Sequence, residues 1–87
     1  MEELDEIQRQ VVNYWRNVED NILYHVKYEP KYPVVGDTYI FVVNSLIPNE
    51  PIKEVGVFQL KSIIKKDTLI LLNQNGEEFI YKFSSRQ

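Results

Sequence analysis

Residues 68–83 read TLILLNQNGEEFIYKF, and this stretch decides the architecture predicted for the second half of the chain. Two runs rich in aliphatic and aromatic residues flank the dipeptide Asn75-Gly76. Asn-Gly between β-rich runs predicts a hairpin with a two-residue type I′ turn, because both central residues of that turn need a positive φ.

This turn also predicts the register of the hairpin. Leu72 should lie opposite Phe79, and Ile70 opposite Tyr81. Phe79, Tyr81 and Phe83 would then share one face of the sheet, which is the expected docking surface for the rest of the fold.

Outward from the hairpin, the sequence from residue 34 onward is typical of β-structure. Apolar runs predict strands over 38–43, 55–64 and 68–73, with a tight connection at 65–67. Residues 44–54 carry two prolines and form the longest predicted loop.

The first 29 residues show a different pattern. They contain neither Gly nor Pro, and apolar side chains recur every three or four residues, at Leu4, Ile7, Val11, Tyr14, Trp15, Val18 and Ile22. This spacing predicts an amphipathic helix over residues 1–25 that crosses one face of the sheet. Residues 24–29 alternate between apolar and polar side chains, so they fit a strand as well as the end of a helix.

The β-rich part resembles a small SH3-like β-barrel over residues 34–83. The resemblance rests on the turn Val35-Gly36-Asp37 opening an apolar strand, then a long loop and three strands joined by short turns. The chain lacks the acidic and aromatic peptide-groove signature of signalling SH3 domains. We therefore predict an α+β fold in one domain, residues 1–87, with a long N-terminal amphipathic helix (1–25) packed on the β-rich part (26–87). That part is either a small antiparallel sheet or an SH3-like barrel of four to five strands.

Composition excludes several classes of function. The chain has no cysteine and one histidine, His25, so disulfides, thiol catalysis and multi-histidine metal sites are excluded, and no cofactor is expected. Carboxylates occur mostly as adjacent pairs, which diverge in direction and do not form an acid/base dyad. No apolar run is long enough to span a membrane, and the acidic start is unlike a signal peptide, so we expect a cytoplasmic protein that is not an enzyme.

Aromatic residues are the candidate partner-binding residues. Tyr24, Tyr28, Tyr32 and Tyr39 could line a cage or groove for a peptide or a cation. Trp15 lies at the border of the predicted helical stripe, where it could anchor a dimer or a partner. We therefore expect a small accessory or regulatory protein that binds a protein partner or itself. The absence of alanine beside nine isoleucines indicates an A/T-rich gene, as in a phage or prophage.

The alternative is a nucleic-acid-associated SH3-like module. Lys61, Lys65 and Lys66 lie around one predicted hairpin and could contact phosphates. The net charge of −3 disfavours this alternative, because attraction to a polyanion depends on a surplus of positive charge.

Overall fold

The part of the chain that the structure describes forms six antiparallel strands and one short helix. A computed structural model describes residues 4–84, so the first three residues of the predicted helix lie outside the described residues. The elements are α1 (Glu6–Val11), β1 (Tyr14–Asn17), β2 (Leu23–Lys27), β3 (Ile40–Leu46), β4 (Lys53–Ile64), β5 (Thr68–Leu72) and β6 (Glu78–Phe83).

Each strand pairs with the next one along the chain, and β1 pairs with β6 to close a barrel. At the closing seam Trp15 lies opposite Phe83, and Asn17 lies opposite Tyr81. Of the two predicted alternatives the structure shows the small antiparallel barrel, but the predicted number of four to five strands is wrong, since the barrel has six. The barrel starts at β1, however, and therefore includes residues that were assigned to the helix.

The prediction of an α+β fold with a long N-terminal helix is wrong. The helix spans six residues, and residues 14–17 and 23–25 of the predicted helical segment lie in β1 and β2. Turn chemistry explains the difference, because the Asn17 side chain accepts hydrogen bonds from the backbone N–H groups of Glu19 and Asp20. Asn21 has a φ of 61°, so the chain reverses here instead of continuing a helix. Of the apolar residues that fitted a helical spacing, only Tyr14 and Trp15 lie within these two strands, and Val18 is exposed in the turn between them.

Helix α1 begins with a capping box. The Asp5 carboxylate accepts from the Gln8 backbone N–H, and the Gln8 side chain accepts from the Asp5 backbone N–H. The Tyr39 hydroxyl donates to the same Asp5 carboxylate at 2.8 Å, which ties the helix to the start of β3. At the other end of the helix, Val11 is fully buried and its carbonyl accepts from the Trp15 indole N–H at 2.9 Å.

The core lies inside the barrel and is built from alternate residues of the strands. Its buried members are Val11, Trp15, Val26, Phe41, Val43, Phe58, Leu69, Leu71 and Tyr81. Trp15 lies on β1 and has no exposed surface, so its predicted position at the border of a helix is wrong.

The predicted hairpin at Asn75-Gly76 exists, but its register is shifted by one residue. Leu71, not Leu72, lies opposite Phe79, because the loop has three residues. The Gly76 N–H donates to the Asn73 carbonyl. Of the two residues predicted to have a positive φ, Asn75 and Gly76, only Gly76 has one, at 82°. This arrangement is a type I turn followed by a left-handed glycine, which is the usual geometry of a three-residue hairpin loop.

Both central residues of the β4–β5 turn have a positive φ. Lys65 has a φ of 54° and Lys66 a φ of 64°, and the Asp67 N–H donates to the Ile64 carbonyl. The pair of left-handed residues predicted at Asn75-Gly76 is therefore found at two lysines, in the three-residue loop between Ile64 and Thr68, and this conformation is costly for lysine.

Candidate functional site

Strand β4 changes its neighbour halfway along its length. Residues 53–59 pair with β3, and residues 59–64 pair with β5. Since β5 ends at Leu72, opposite Gln59, residues 53–58 have a strand on only one side within the described part of the chain. Although β1 and β6 close the barrel, this part of β4 therefore has one edge without a paired strand among the described residues.

The direction of the backbone groups follows from one hydrogen bond. The Leu60 N–H donates to the Tyr39 carbonyl, so Leu60 and, by alternation, Phe58 direct their backbone groups toward β3. Gln59 and Val57 direct theirs to the opposite side. Gln59 lies opposite Leu72 of β5, whereas the register of residues 4–84 places no strand residue opposite Val57 on that side.

A cleft follows this open edge. It consists of two adjoining cavities of about 470 and 290 Å³ that share Val57, Phe58, Asn73 and Gln74. One wall is the edge of β4, and the other is formed by residues 73–75 of the β5–β6 turn. The remaining lining residues are Tyr32, Ile40, Val55, Gly56, Gln59, Leu72, Asn75 and Phe79.

The cleft offers apolar surface and amides. On its inner side the rings of Phe58 and Phe79 meet edge to face, with centroids 5.6 Å apart. The polar groups come from four side-chain amides of the lining and from the Tyr32 hydroxyl. None of the residues that the structure places in the lining is charged. The Asn73 amide is already engaged in its own turn, because its oxygen accepts from the N–H groups of Asn75 and Glu77.

Exposed apolar side chains continue beyond the cleft. Val55 is 50% exposed at the cleft wall, and Ile52, just before β4, is 70% exposed. Ile52 also lines a second groove of about 560 Å³ between the β1–β2 turn and the β3–β4 loop, together with Leu23, Leu46 and Pro48. Exposed apolar side chains thus lie at both grooves, with the exposed and charged Lys53 and Glu54 between Ile52 and Val55.

The four predicted tyrosines do not form one groove. Tyr24, Tyr28 and Tyr39 are half-buried and pack against the core, while Tyr32 is the one member of the set that lines the β4 cleft. The Tyr24 hydroxyl donates to Asp20 at 2.6 Å, and its ring meets Tyr81 edge to face. Burial, followed by this hydrogen bond, raises the pKa of Tyr24, and burial raises the pKa of Tyr81 to about 12. Neither phenol titrates near neutral pH, so both act as packing groups.

Trp15 does not provide a surface anchor in this structure. Its ring is enclosed by the barrel and contacts Phe83 edge to face at 5.7 Å between centroids. The partner-binding role predicted for the tyrosines stays a prediction, and Tyr32 is the residue whose position gives it a physical basis.

The three predicted lysines occupy different settings. Lys61 lies at an irregularity in the β4–β5 pairing and forms an ion pair with Glu78. Lys65 and Lys66 are exposed at the tip of the β4–β5 turn, next to Asp67. The expected lysine-bearing hairpin is therefore present, with two of its three lysines at the tip.

Among residues 4–84, no group of three or more His, Asp or Glu side chains lies close enough to hold a metal ion. The His25 ring packs on Tyr14, with centroids 4.7 Å apart.

No helix among the described residues is long and apolar enough to cross a membrane.

Sequence reasoning missed the β4 cleft, although one signal could have revealed it. Residues 55–64 predict a strand of ten residues, whereas residues 68–73 predict a partner of only six. A long strand beside a short one leaves part of its edge without a neighbour. The mismatch in predicted length already indicated an open edge on β4.

Comparison with known proteins places no restriction on the function of this site. No known protein family, curated protein or solved structure matches the chain.

Proposed function

We propose that this protein is a non-enzymatic interaction module that binds a segment of a partner protein in the β4 cleft. The observation that carries the proposal is the coincidence of an open strand edge, a cleft with an apolar inner side and exposed apolar side chains at its rim. Exposed apolar surface beside a groove is typical of protein interaction sites. The resemblance to an SH3-like barrel is compatible with this role, since it describes a small barrel that could present a partner-binding surface.

The composition of the cleft favours a peptide over a small charged metabolite. Uncharged lining residues provide no electrostatic attraction for a phosphate or a carboxylate. Aromatic rings and side-chain amides together match a peptide, which presents both apolar side chains and backbone polar groups.

The test is a selection of short peptides from a displayed library, followed by affinity measurements on the enriched peptides by fluorescence polarisation. Val55→Lys adds a charge at the cleft wall and should weaken binding by at least about tenfold, or about 1.4 kcal/mol. Ile64→Lys is the matched control, because Ile64 lies at the other end of β4 and is 45% exposed, close to the 50% of Val55. Enriched peptides that bind both variants equally well would contradict the proposal.

The second candidate is nucleic-acid binding through the β4–β5 turn. It is favoured by the two exposed lysines held in a left-handed turn, since costly conformations persist more often at functional positions. A gel-shift titration at two salt concentrations with wild type and Lys65→Gln/Lys66→Gln decides it. Salt-sensitive binding that the double variant loses would favour this role over the peptide-binding role.

A further inference from the structure

We propose that the partner segment binds by strand addition, pairing its backbone with the open edge of β4 at residues 55–58. The inference rests on the proposed function and deepens it, because it specifies the conformation and the chemistry of the ligand. The ligand is an extended segment with uncharged, mostly apolar side chains.

The position of the added strand follows from the pairing of β4. Strand β5 runs antiparallel to β4 and leaves it at Leu72, after which the chain turns away toward β6. An extended segment beside Val57 would continue the line of β5 and take the position that β5 leaves. Residues 53–58 provide about 20 Å of edge at the usual rise of about 3.3 Å per residue.

The backbone of Val57 is the attachment point. Its N–H and C=O face the open side, where the structure places no strand within residues 4–84. Half-exposed strand edges with unpaired backbone groups are templates for pairing with another chain. Main-chain hydrogen bonds at Val57 would therefore supply part of the affinity irrespective of the ligand's sequence.

The two sides of the cleft define the side chains of the ligand. Alternate side chains of an added strand point to opposite faces of the sheet. One set would contact Phe58 and Phe79 on the inner side, and the other would contact Val57 and Tyr32 on the outer side. The lining residues are apolar or polar without charge, so a charged side chain in the middle of the ligand would lose its hydration without gaining an opposite charge.

Hydrogen exchange measured by NMR tests the open edge in the free protein. The Val57 amide should exchange at least about 100-fold faster than the Phe58 amide, because only the latter faces β3. Addition of a peptide selected from the library should slow exchange at Val57 by at least about tenfold and leave Phe58 unchanged. Equal and slow exchange at both amides in the monomeric free protein would overturn the inference.

A scan of N-methylated versions of the same peptide tests the binding mode. N-methylation removes one backbone donor and keeps every side chain, so strand addition predicts that affinity is lost at alternate positions only. A scan without this period of two would overturn strand addition, even if Val55→Lys still weakens binding and the proposed function stands. Loss of the Val55→Lys effect would instead overturn the cleft as the binding site.

Sedimentation of the free protein tests whether a second copy of the chain, and not a partner segment, binds in the β4 cleft. The proposal expects a monomer with a rapidly exchanging Val57 amide. A dimer in which Val57 is protected without peptide would show that β4 pairs with itself, which would overturn the assignment to a partner segment.

Discussion

Replacement of Trp15 by alanine should strongly destabilise the barrel. The side chain has no exposed surface and lies at the seam where β1 pairs with β6. A buried indole removes roughly 200 Å² of surface from water, which at about 25 cal/mol per Å² contributes about 5 kcal/mol. Measured losses for Trp→Ala in protein cores are about 3–5 kcal/mol, so we expect a loss in that range.

The hydrogen bond of the indole contributes to this loss. Trp15 donates to the Val11 carbonyl at 2.9 Å, and a buried acceptor left unpaired costs about 1–3 kcal/mol. Trp15→Phe keeps an aromatic ring but removes the donor, so it should destabilise the protein by an intermediate amount. It should also loosen α1, whose last residue is Val11.

Urea denaturation followed by far-UV circular dichroism measures these losses. A domain of 87 residues is stable by roughly 4–13 kcal/mol, so Trp15→Ala should lower the midpoint sharply or prevent folding. Val35→Ala is the control, because Val35 is 71% exposed and should change stability by less than about 0.5 kcal/mol. A Trp15→Ala protein with the wild-type midpoint would refute the burial of Trp15 and favour the exposed position at the border of a helix.

Three further predictions concern local geometry. Gly76→Val should destabilise the protein by about 1–3 kcal/mol in the same urea assay. Asn75→Ala should destabilise it much less, since Gly76 has a positive φ and Asn75 does not; equal losses of stability would favour the type I′ turn. Lys65→Asn/Lys66→Gly should stabilise the protein by about 1 kcal/mol by thermal unfolding, because these residues accept the left-handed conformation more easily, and unchanged stability would contradict the turn geometry. The hydrogen bond from the Gln8 backbone N–H, followed by that from the Tyr39 hydroxyl, lowers the pKa of Asp5 below its ordinary value, so the ionised carboxylate should stabilise the protein above that ordinary value and lose this effect as pH falls through the lowered pKa. Asp5→Asn should therefore flatten the acidic part of the pH–stability curve, and an unchanged curve would contradict the cap.

Much of the β-rich half could be predicted from local sequence signals. The apolar runs placed β3, β4 and β5 within a few residues of their observed bounds, and Asn75-Gly76 placed the last hairpin. These features depend on backbone preferences and alternation, which act over a few neighbouring residues. The register of that hairpin was not predictable from the dipeptide alone, since the Asn73 side chain, which bonds to two N–H groups in the turn, selects the three-residue loop.

The candidate site could be predicted only in part. Tyr32 was identified as a binding residue from its aromatic character, and it lines the cleft. Val57 carries no chemical signal in the sequence, because its proposed role comes from the unpaired direction of its backbone groups. That direction depends on where β5 ends relative to β4, which is a property of the assembled barrel.

What the sequence by itself determined is the class of local structure in the second half of the chain and the absence of cysteine chemistry. Only the tertiary structure decided the fate of the first half. The apolar spacing of residues 4–22 predicts a helix, and the alternation of residues 24–29 fits a strand as well as the end of a helix, so the local pattern leaves this half of the chain ambiguous. Pairing of β1 with β6 resolves the ambiguity, since it closes the barrel and buries Trp15 completely, a long-range gain that no local pattern encodes.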